Sequence, residues 1–325
     1  MAPEPFDPER RPKMTNPSTP VPAPLRLGLI GFGEVGKIFA DALVQQSDVA
    51  ALAVWDRKLA APETAEAERE HAQRLGVRAC GSMAEVCAGA DVLISAVTAS
   101  NTLAVAEEAA ACVAPGTAFL DLNSASPGTK QRAAAALEAA GALYTEAGVM
   151  TSVPPYGIGV PMLLGGAHAA ALAERLTRWG MDVTVVSERL GVASAIKMAR
   201  SVMIKGLEAL VIESYATARA YGVEDHVLPT LAETFPSIDW AQQGAYFFSR
   251  VVQHGQRRAE EMMEAARTVQ EAGFAPLMAE ATARKQQWMA DLAREGVFAG
   301  VGKGAPWTAY ADALRTRNTK NDSNK

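Results

Sequence analysis

Cysteine and histidine are scarce in this chain. The three thiols, Cys80, Cys87 and Cys112, form no Cys-x-x-Cys and leave one unpaired in any disulfide scheme, so a reducing compartment fits best. All three read as small buried hydrophobes. None of the four histidines stands at metal-ligand spacing from another or from a cysteine, so no zinc or iron centre is expected. Excess positive charge is also missing: the formal net charge is -5, and a nucleic-acid partner would need a basic face. No run of eighteen uncharged apolar residues occurs, so nothing is expected to span a membrane. Residues 1–24 lack apolar periodicity and hold eight of the 18 prolines. They read as a disordered tail without the apolar stretch of a secretion signal, and the expected location is cytoplasmic.

What is present is enough for two buried cores: 325 residues, 49% of them hydrophobic, with a prior of about two domains. The stretch Leu25 to Gly36 organises the first. Leu-Arg-Leu-Gly-Leu-Ile reads as a strand, Gly31-Phe32-Gly33-Glu34-Val35-Gly36 as the turn after it, and Val35, Ile38, Phe39, Ala42 and Leu43 recur at helical spacing. A Gly-x-Gly-x-x-Gly turn between strand and helix suits a dinucleotide. Gly31 permits the turn, Gly33 lets backbone N–H groups approach the pyrophosphate, and Gly36 lets the helix pack on the strand. A second strand, Val49 to Trp55, runs into Asp56, 20 positions after Gly36, where a carboxylate for the ribose hydroxyls belongs. Asp56 favours NAD; Arg57 and Lys58 pull toward NADP.

Strand and helix signals then alternate: a helix over Pro62 to Leu75, strands at Gly76 to Ala79 and Ala90 to Val97, a helix over Ala104 to Val113, a strand at Thr117 to Leu122 and a helix over Lys130 to Ala140. Such alternation predicts an α/β, doubly wound sheet with ligand at the carboxyl ends of its strands. That places Val97 and Thr98, as cofactor contacts, and Asn123 and Ser124, as substrate contacts, on the rim shared by Gly31 to Gly36. Leu143 to Met150, Val160 to Gly166 and Val183 to Val186 complete the strands. Beyond Leu190 almost every signal is helical. The expected division is a tail over 1–24, a dinucleotide-binding domain over 25–189, an all-α substrate and dimerisation domain over 190–315, and a frayed polar tail over 316–325.

The long helix Val192 to Tyr221 is apolar nearly all round, yet Lys197, Arg200, Ser201, Lys205 and Glu208 recur three and four apart on one face. Such a stripe must be paired or must line a wet cavity, because an unpaired buried charge costs several kcal/mol or more. Burial and Arg200 at i+3 both push the Lys197 pKa down toward acid/base range. Structural pairings, Lys205 with Glu208 or Lys197 with carbonyls, are the competing reading.

The succession of Gly31-Phe32-Gly33-Glu34-Val35-Gly36, Ala90-Asp91-Val92-Leu93-Ile94, Asp121-Leu122-Asn123-Ser124-Ala125-Ser126-Pro127, Val160 to Gly166 and Gly191 to Arg200 resembles the β-hydroxyacid dehydrogenase family, which includes hydroxyisobutyrate and 6-phosphogluconate dehydrogenases. The resemblance implies a Rossmann-type domain followed by helices, NAD or NADP as cofactor, and a lysine acid/base at Lys197. It also implies dimerisation through the helical domain, to which Met262, Met263, Trp288 and Met289 would contribute. Two departures mark a divergent branch with its own C-terminal domain. The family's substrate loop, Asp-x-Pro-Val-Ser-Gly-Gly, is replaced by Glu146 to Ser152, leaving Thr151 and Ser152 as candidate contacts. An asparagine three residues after the lysine is replaced by Arg200, which either anchors an anionic substrate beside Ser201 or pairs with Glu208 or Glu146. Farther on, the aromatics Phe235, Trp240, Tyr246, Phe247 and Phe248 read as core or dimer interface, and Arg257 or Arg258 as a solvated run or a substrate contact. Three readings follow: a dehydrogenase for a β-hydroxy acid or related alcohol, an imine reductase, which generally lacks this lysine, and a non-catalytic dinucleotide sensor or scaffold.

Overall fold

The computed structural model describes residues 24–322; the expected proline-rich tail, up to residue 23, and residues 323–325 lie outside it. Eight strands form one sheet in the order β3-β2-β1-β4-β5-β6-β7-β8. They are β1 (Leu25–Ile30), β2 (Val49–Trp55), β3 (Arg78–Ala79), β4 (Val92–Ser95), β5 (Ala118–Asp121), β6 (Leu143–Val149), β7 (Met162–Gly165) and β8 (Val183–Ser187). All pairings are parallel except β6 with β7. The helices α1 (Glu34–Leu43), α2 (Ala65–Leu75), α3 (Met83–Cys87), α4 (Thr102–Ala110), α5 (Pro127–Ala139) and α6 (Ala169–Arg178) cover its two faces. One apolar core gathers Leu29, Phe39 and Leu164, the other Leu93, Phe119 and Tyr144. Strands buried on both faces read as unbroken apolar runs, as Val92 to Ile94 does. The strand order reverses between β1 and β4, which opens a crevice at their carboxyl ends.

The remaining helices are α7 (Val192–Tyr221), α8 (Glu224–Thr234), α9 (Trp240–Glu271), α10 (Leu277–Arg294) and α11 (Trp307–Asp322). Tyr215, Phe248, Met289, Trp307 and Tyr310 form their main core. Helix α11 overrides the expected frayed tail from Thr316, because Trp307, Tyr310, Ala311 and Leu314 recur at helical spacing, bury one face and carry the polar run along. Of the aromatics, Trp240, Phe247 and Phe248 are core, whereas Tyr246 and Phe235 are exposed. Met262 and Met289 are buried too, which leaves Met263 and Trp288 on the surface.

Two polar devices join the sheet to the helices. The Glu146 carboxylate, on β6, accepts from the backbone N–H of Gly191 at 2.7 Å and of Ala193 at 3.1 Å. It therefore caps α7, whose own first turn carries no acidic residue, and is not a partner of Arg200. Helix α9 runs across the rim. Glu260 accepts from Ser100 Oγ at 2.9 Å, Glu264 from the N–H of Ser126 at 2.8 Å and Glu271 from that of Gly128 at 2.9 Å, so α9 supplies acceptors to the first turn of α5.

Inside the sheet, Lys130 is fully buried with Nζ 2.9 Å from Asp121 Oδ1, while Tyr144 Oη donates to Asp121 Oδ2 at 2.7 Å. Breaking such a pair from one side leaves a buried charge uncompensated, at about 3–5 kcal/mol. Lys130→Met is therefore expected to lower the unfolding free energy by about that amount in a denaturant titration.

Candidate functional site

A cleft of about 1150 Å³ opens between the strand rim, α7 and α9. One wall is the glycine turn. Gly31 has φ +99°, and a Cβ there would lie 2.3 Å from the Ala96 carbonyl oxygen; a Cβ on Gly36 would lie 2.0 Å from that of Gly31. Neither position tolerates a side chain. Gly33 differs: it borders the cleft, and a Cβ there would meet nothing within 4 Å. Gly33 is also the N-cap of α1 and no side chain caps that helix, so its first N–H groups are open to an anion. Val35 lines the cleft and Glu34 stands exposed beside it. The Phe32 side chain is buried edge-on to His71, which leaves only its backbone near the turn.

At the end of β2, Asp56 borders the cleft and accepts from the N–H of Phe32 at 2.7 Å and of Lys58 at 3.0 Å. Arg57 Nη1 donates to Asn101 Oδ1 at 3.1 Å. Val97, Thr98, Asn123 and Ser124 share the rim. The buried Asn123 amide is committed to the strands, accepting from the Val97 N–H at 2.6 Å and donating to Ser95 Oγ at 2.9 Å, so it braces the rim. Ser124 remains available, and Lys197 Nζ donates to its Oγ at 2.5 Å.

Lys197 is half-buried because its side chain faces the cleft, whose protein walls nevertheless strip water from its ammonium. Burial pushes its pKa down to about 7, Glu261 pulls the other way, and Lys205, Lys130 and Arg257 push down again. Its like-charged neighbours come from three elements and do not include Arg200. Lys205 Nζ sits 2.6 Å from Glu261 Oε2 and donates to Ser201 Oγ at 3.3 Å; Glu208 pairs with Arg258. The alternative Lys205–Glu208 pairing is thus replaced on both sides, Ser201 is held by Lys205, and Arg258 is a buried structural cation. Burial works to raise the Glu261 pKa, but Lys205, Lys197 and Arg257 outweigh it and hold it down at about 2.

Thr151, Ser152 and Arg200 also line the cleft, with Arg250 Nη1 donating to Ser152 Oγ at 3.2 Å. Residues on α9 complete the wall and were not expected from the sequence as a group: Tyr246, Arg250, His254 and Glu261, together with Arg257. Their signal was present in the chain. Steps of four, four, three and four put these five side chains on one helical face. His254 is lowered in pKa by burial first, then by Arg257 and Arg250, with Glu34 opposing. Among the described residues no group of three or more His, Cys, Asp or Glu side chains is arranged to hold a metal ion, and no helix is long and apolar enough to cross a membrane.

Comparison with known proteins agrees with this geometry. Residues 26–186 match the NAD binding domain of 6-phosphogluconate dehydrogenase, and residues 218–289 match a domain of unknown function, DUF1932. A conserved hypothetical protein from Sinorhizobium meliloti 1021 is 36% identical, with 90% of this chain and 96% of that one covered and a TM-score of 0.68. A conserved protein of unknown function, MTH1747, described as structurally similar to 3-hydroxyacid dehydrogenases, is 31% identical over 83% of this chain and 98% of that one, with a TM-score of 0.63. The 3-hydroxyisobutyrate dehydrogenase of Mycobacterium tuberculosis shares the fold at 17% identity and a TM-score of 0.62, with 90% and 99% covered. With an NAD-binding domain of the 6-phosphogluconate dehydrogenase kind joined to DUF1932, and two relatives above 30% identity that match most of this chain and nearly all of their own, the chain belongs to a divergent branch of the β-hydroxyacid dehydrogenase family.

Proposed function

We propose that the protein is an NAD(P)-dependent oxidoreductase that moves a hydride between nicotinamide and the carbinol carbon of a β-hydroxy acid or related alcohol, with Lys197 as general acid/base. The observation that carries this reading is Lys197 itself: an amine with a pKa near 7, hydrogen-bonded to Ser124, in the same cleft as the glycine turn. Residues for the cofactor fit. Gly33 leaves the space that a Cβ would fill, the uncapped first turn of α1 offers N–H groups to a pyrophosphate, and Asp56 stands where the ribose hydroxyls belong. Asp56 favours NAD, and Arg57, which lines the cleft, spends one donor on Asn101. Bound nicotinamide supplies or accepts the hydride.

Lys197 handles the accompanying proton. As a neutral amine it takes the hydroxyl proton during oxidation; as an ammonium it returns one during reduction. A pKa near working pH serves both directions, and Glu261 keeps the ammonium from being expelled entirely by the surrounding cations. A silent dinucleotide sensor would leave this poised lysine without a purpose, and imine reductases generally lack a lysine at this position.

Lys197→Ala should leave cofactor affinity nearly intact, since Gly31 to Gly36 and Asp56 lie on other elements, while kcat falls roughly 10²–10⁴-fold. In the unsubstituted enzyme, oxidation should fade as the pH drops through about 7 and reduction should fade as it rises through the same value. A kcat within about twofold of the parent after Lys197→Ala, in folded protein with cofactor bound, would reject the assignment.

The glycine turn has its own test. Gly33→Val adds a side chain only into the cleft, so the melting temperature should hold while NAD(H) affinity, read by nicotinamide fluorescence, falls at least about tenfold. Unchanged affinity would move the cofactor elsewhere.

The assembly we propose is a homodimer. On α7, Met203 at 73% exposure, Leu210 at 56% and Tyr221 at 80% stand out in solvent at seven- and eleven-residue intervals. An apolar stripe of this kind marks an interaction face. Light scattering at micromolar concentration is expected to give twice the chain mass, and a monomer would contradict it.

A further inference from the structure

The cleft holds more positive charge than a simple hydroxy acid can use. Several of its cations are spent: Arg258 on Glu208, Lys205 on Glu261 and Arg294 on Asp291. Three guanidiniums are not. Arg200 borders the cleft and makes no hydrogen bond or ion pair with any described residue. Arg257 reaches only Glu261, at 3.9 Å, and that carboxylate is already held by Lys205 at 2.6 Å. Arg250 donates once, to Ser152, lies 5.8 Å from the centre of the Tyr246 ring, and has a buried Nε with no partner. A buried guanidinium N–H without an acceptor costs free energy in the free protein. The three guanidiniums share one cleft and repel one another, and an anion seated among their accessible N–H groups offsets that repulsion.

The cleft's carboxylates do not pair with these three guanidiniums beyond the Glu261 contact: Asp56 accepts two backbone N–H groups, Glu260 accepts from Ser100 and, at 3.2 Å, from Gln256, and Glu34, exposed at the start of α1, forms no ion pair with any of the three. The cofactor does not answer it either, because its pyrophosphate belongs at the first turn of α1. One substrate carboxylate saturates the fork of one arginine, so two more remain.

We propose, building on the oxidoreductase reading, that the substrate carries two anionic groups. One is the carboxylate of the hydroxy acid; the other, a carboxylate or a phosphate, is gripped by Arg250 and Arg257 of α9, with the Ser152 hydroxyl beside them and Arg200 facing from α7. Here α9 supplies the substrate recognition that the family's serine–glycine–glycine loop, absent from this chain, provides elsewhere. Tyr246 flanks Arg250 and orients its plane, and the arginine fork selects a planar or tetrahedral oxyanion over a neutral tail.

The test reads binding, so it stands whether or not hydride transfer occurs. Calorimetry on the full chain with saturating NADH compares 3-hydroxybutyrate, with one carboxylate, against 3-hydroxyglutarate, with two, and 4-phosphoerythronate, with a carboxylate and a phosphate. At least one of the two doubly anionic probes should bind about tenfold or more tightly than 3-hydroxybutyrate, and the tighter of them identifies the second group. Arg250→Gln and Arg257→Gln should each weaken that probe at least about fivefold more than they weaken 3-hydroxybutyrate, and Arg250→Lys should restore only part of the loss. Should Arg250→Gln fail to fold, Arg257→Gln carries the comparison alone. Equal affinity for all three probes in the parent protein overturns the proposal. So does an advantage that survives the substitutions, or a loss that falls equally on NADH, which would assign these arginines to the cofactor. Hydride transfer from 3-hydroxybutyrate at the rate seen with the better doubly anionic probe would leave the oxidoreductase reading intact and remove this one.

Discussion

The cleft depends on where α7 begins. Its first turn is pinned by a carboxyl group from a different layer: Glu146 on β6 accepts the N–H groups of Gly191 and Ala193 at the start of a 30-residue helix. The strand must come very close for this. Gly148 makes the approach possible, because a Cβ there would already lie 3.0 Å from the Ala193 carbonyl oxygen and 3.5 Å from Lys197 Cβ. Six residues beyond the N-cap, Lys197 emerges facing Ser124. The same contact therefore joins the helical part to the sheet and fixes the distance from the lysine to the rim.

From that anchor, α9 completes the enclosure by reversing the usual logic of a helix terminus. The first turn of α5 receives carboxylates not from its own residues but from Glu264 and Glu271, two turns apart on the crossing helix. Glu260, one turn earlier, reaches the loop after β4. A row of acids on one stretch of α9 thus holds it to the rim, and the basic stretch before it is carried over the cleft. Along this one helix Arg250 and Arg257 border the cleft, Arg258 is held by Glu208, Glu261 stays in the cleft beside Lys205, and Glu264 and Glu271 face α5.

The electrostatics of the lysine follow from the enclosure. Burial and the cations from α5, α7 and α9 each penalise the ammonium. Glu261 supports it, and is itself held as an anion by Lys205, Lys197 and Arg257. The two groups form one system: the acid cannot take up a proton in the ordinary range because the cations hold it ionised, and the lysine can lose one because its neighbours favour that loss.

Much of this was legible in the chain. The βα alternation, the glycine turn with Asp56 at its ribose distance, and the helix Val192 to Tyr221 with its polar stripe all follow from local periodicity and from residues whose backbone or charge requirements are strict. Lys197 stood out because a cation on an apolar helix demands an explanation. What local pattern could not supply was the partner of each charge. Glu208, three positions after Lys205, looked like its mate, yet tertiary packing gave Glu208 to Arg258 and Lys205 to Glu261, 50 and 56 residues away. Asn123, expected as a substrate contact, lines the cleft and also braces the rim, and Lys130, expected at the start of a helix, is buried against Asp121. The sequence by itself determined the elements, the turn chemistry and the kind of residue lining each face. Only the tertiary structure decided which charges neutralise one another and which remain for a ligand, because that depends on distance and burial across elements far apart in the chain.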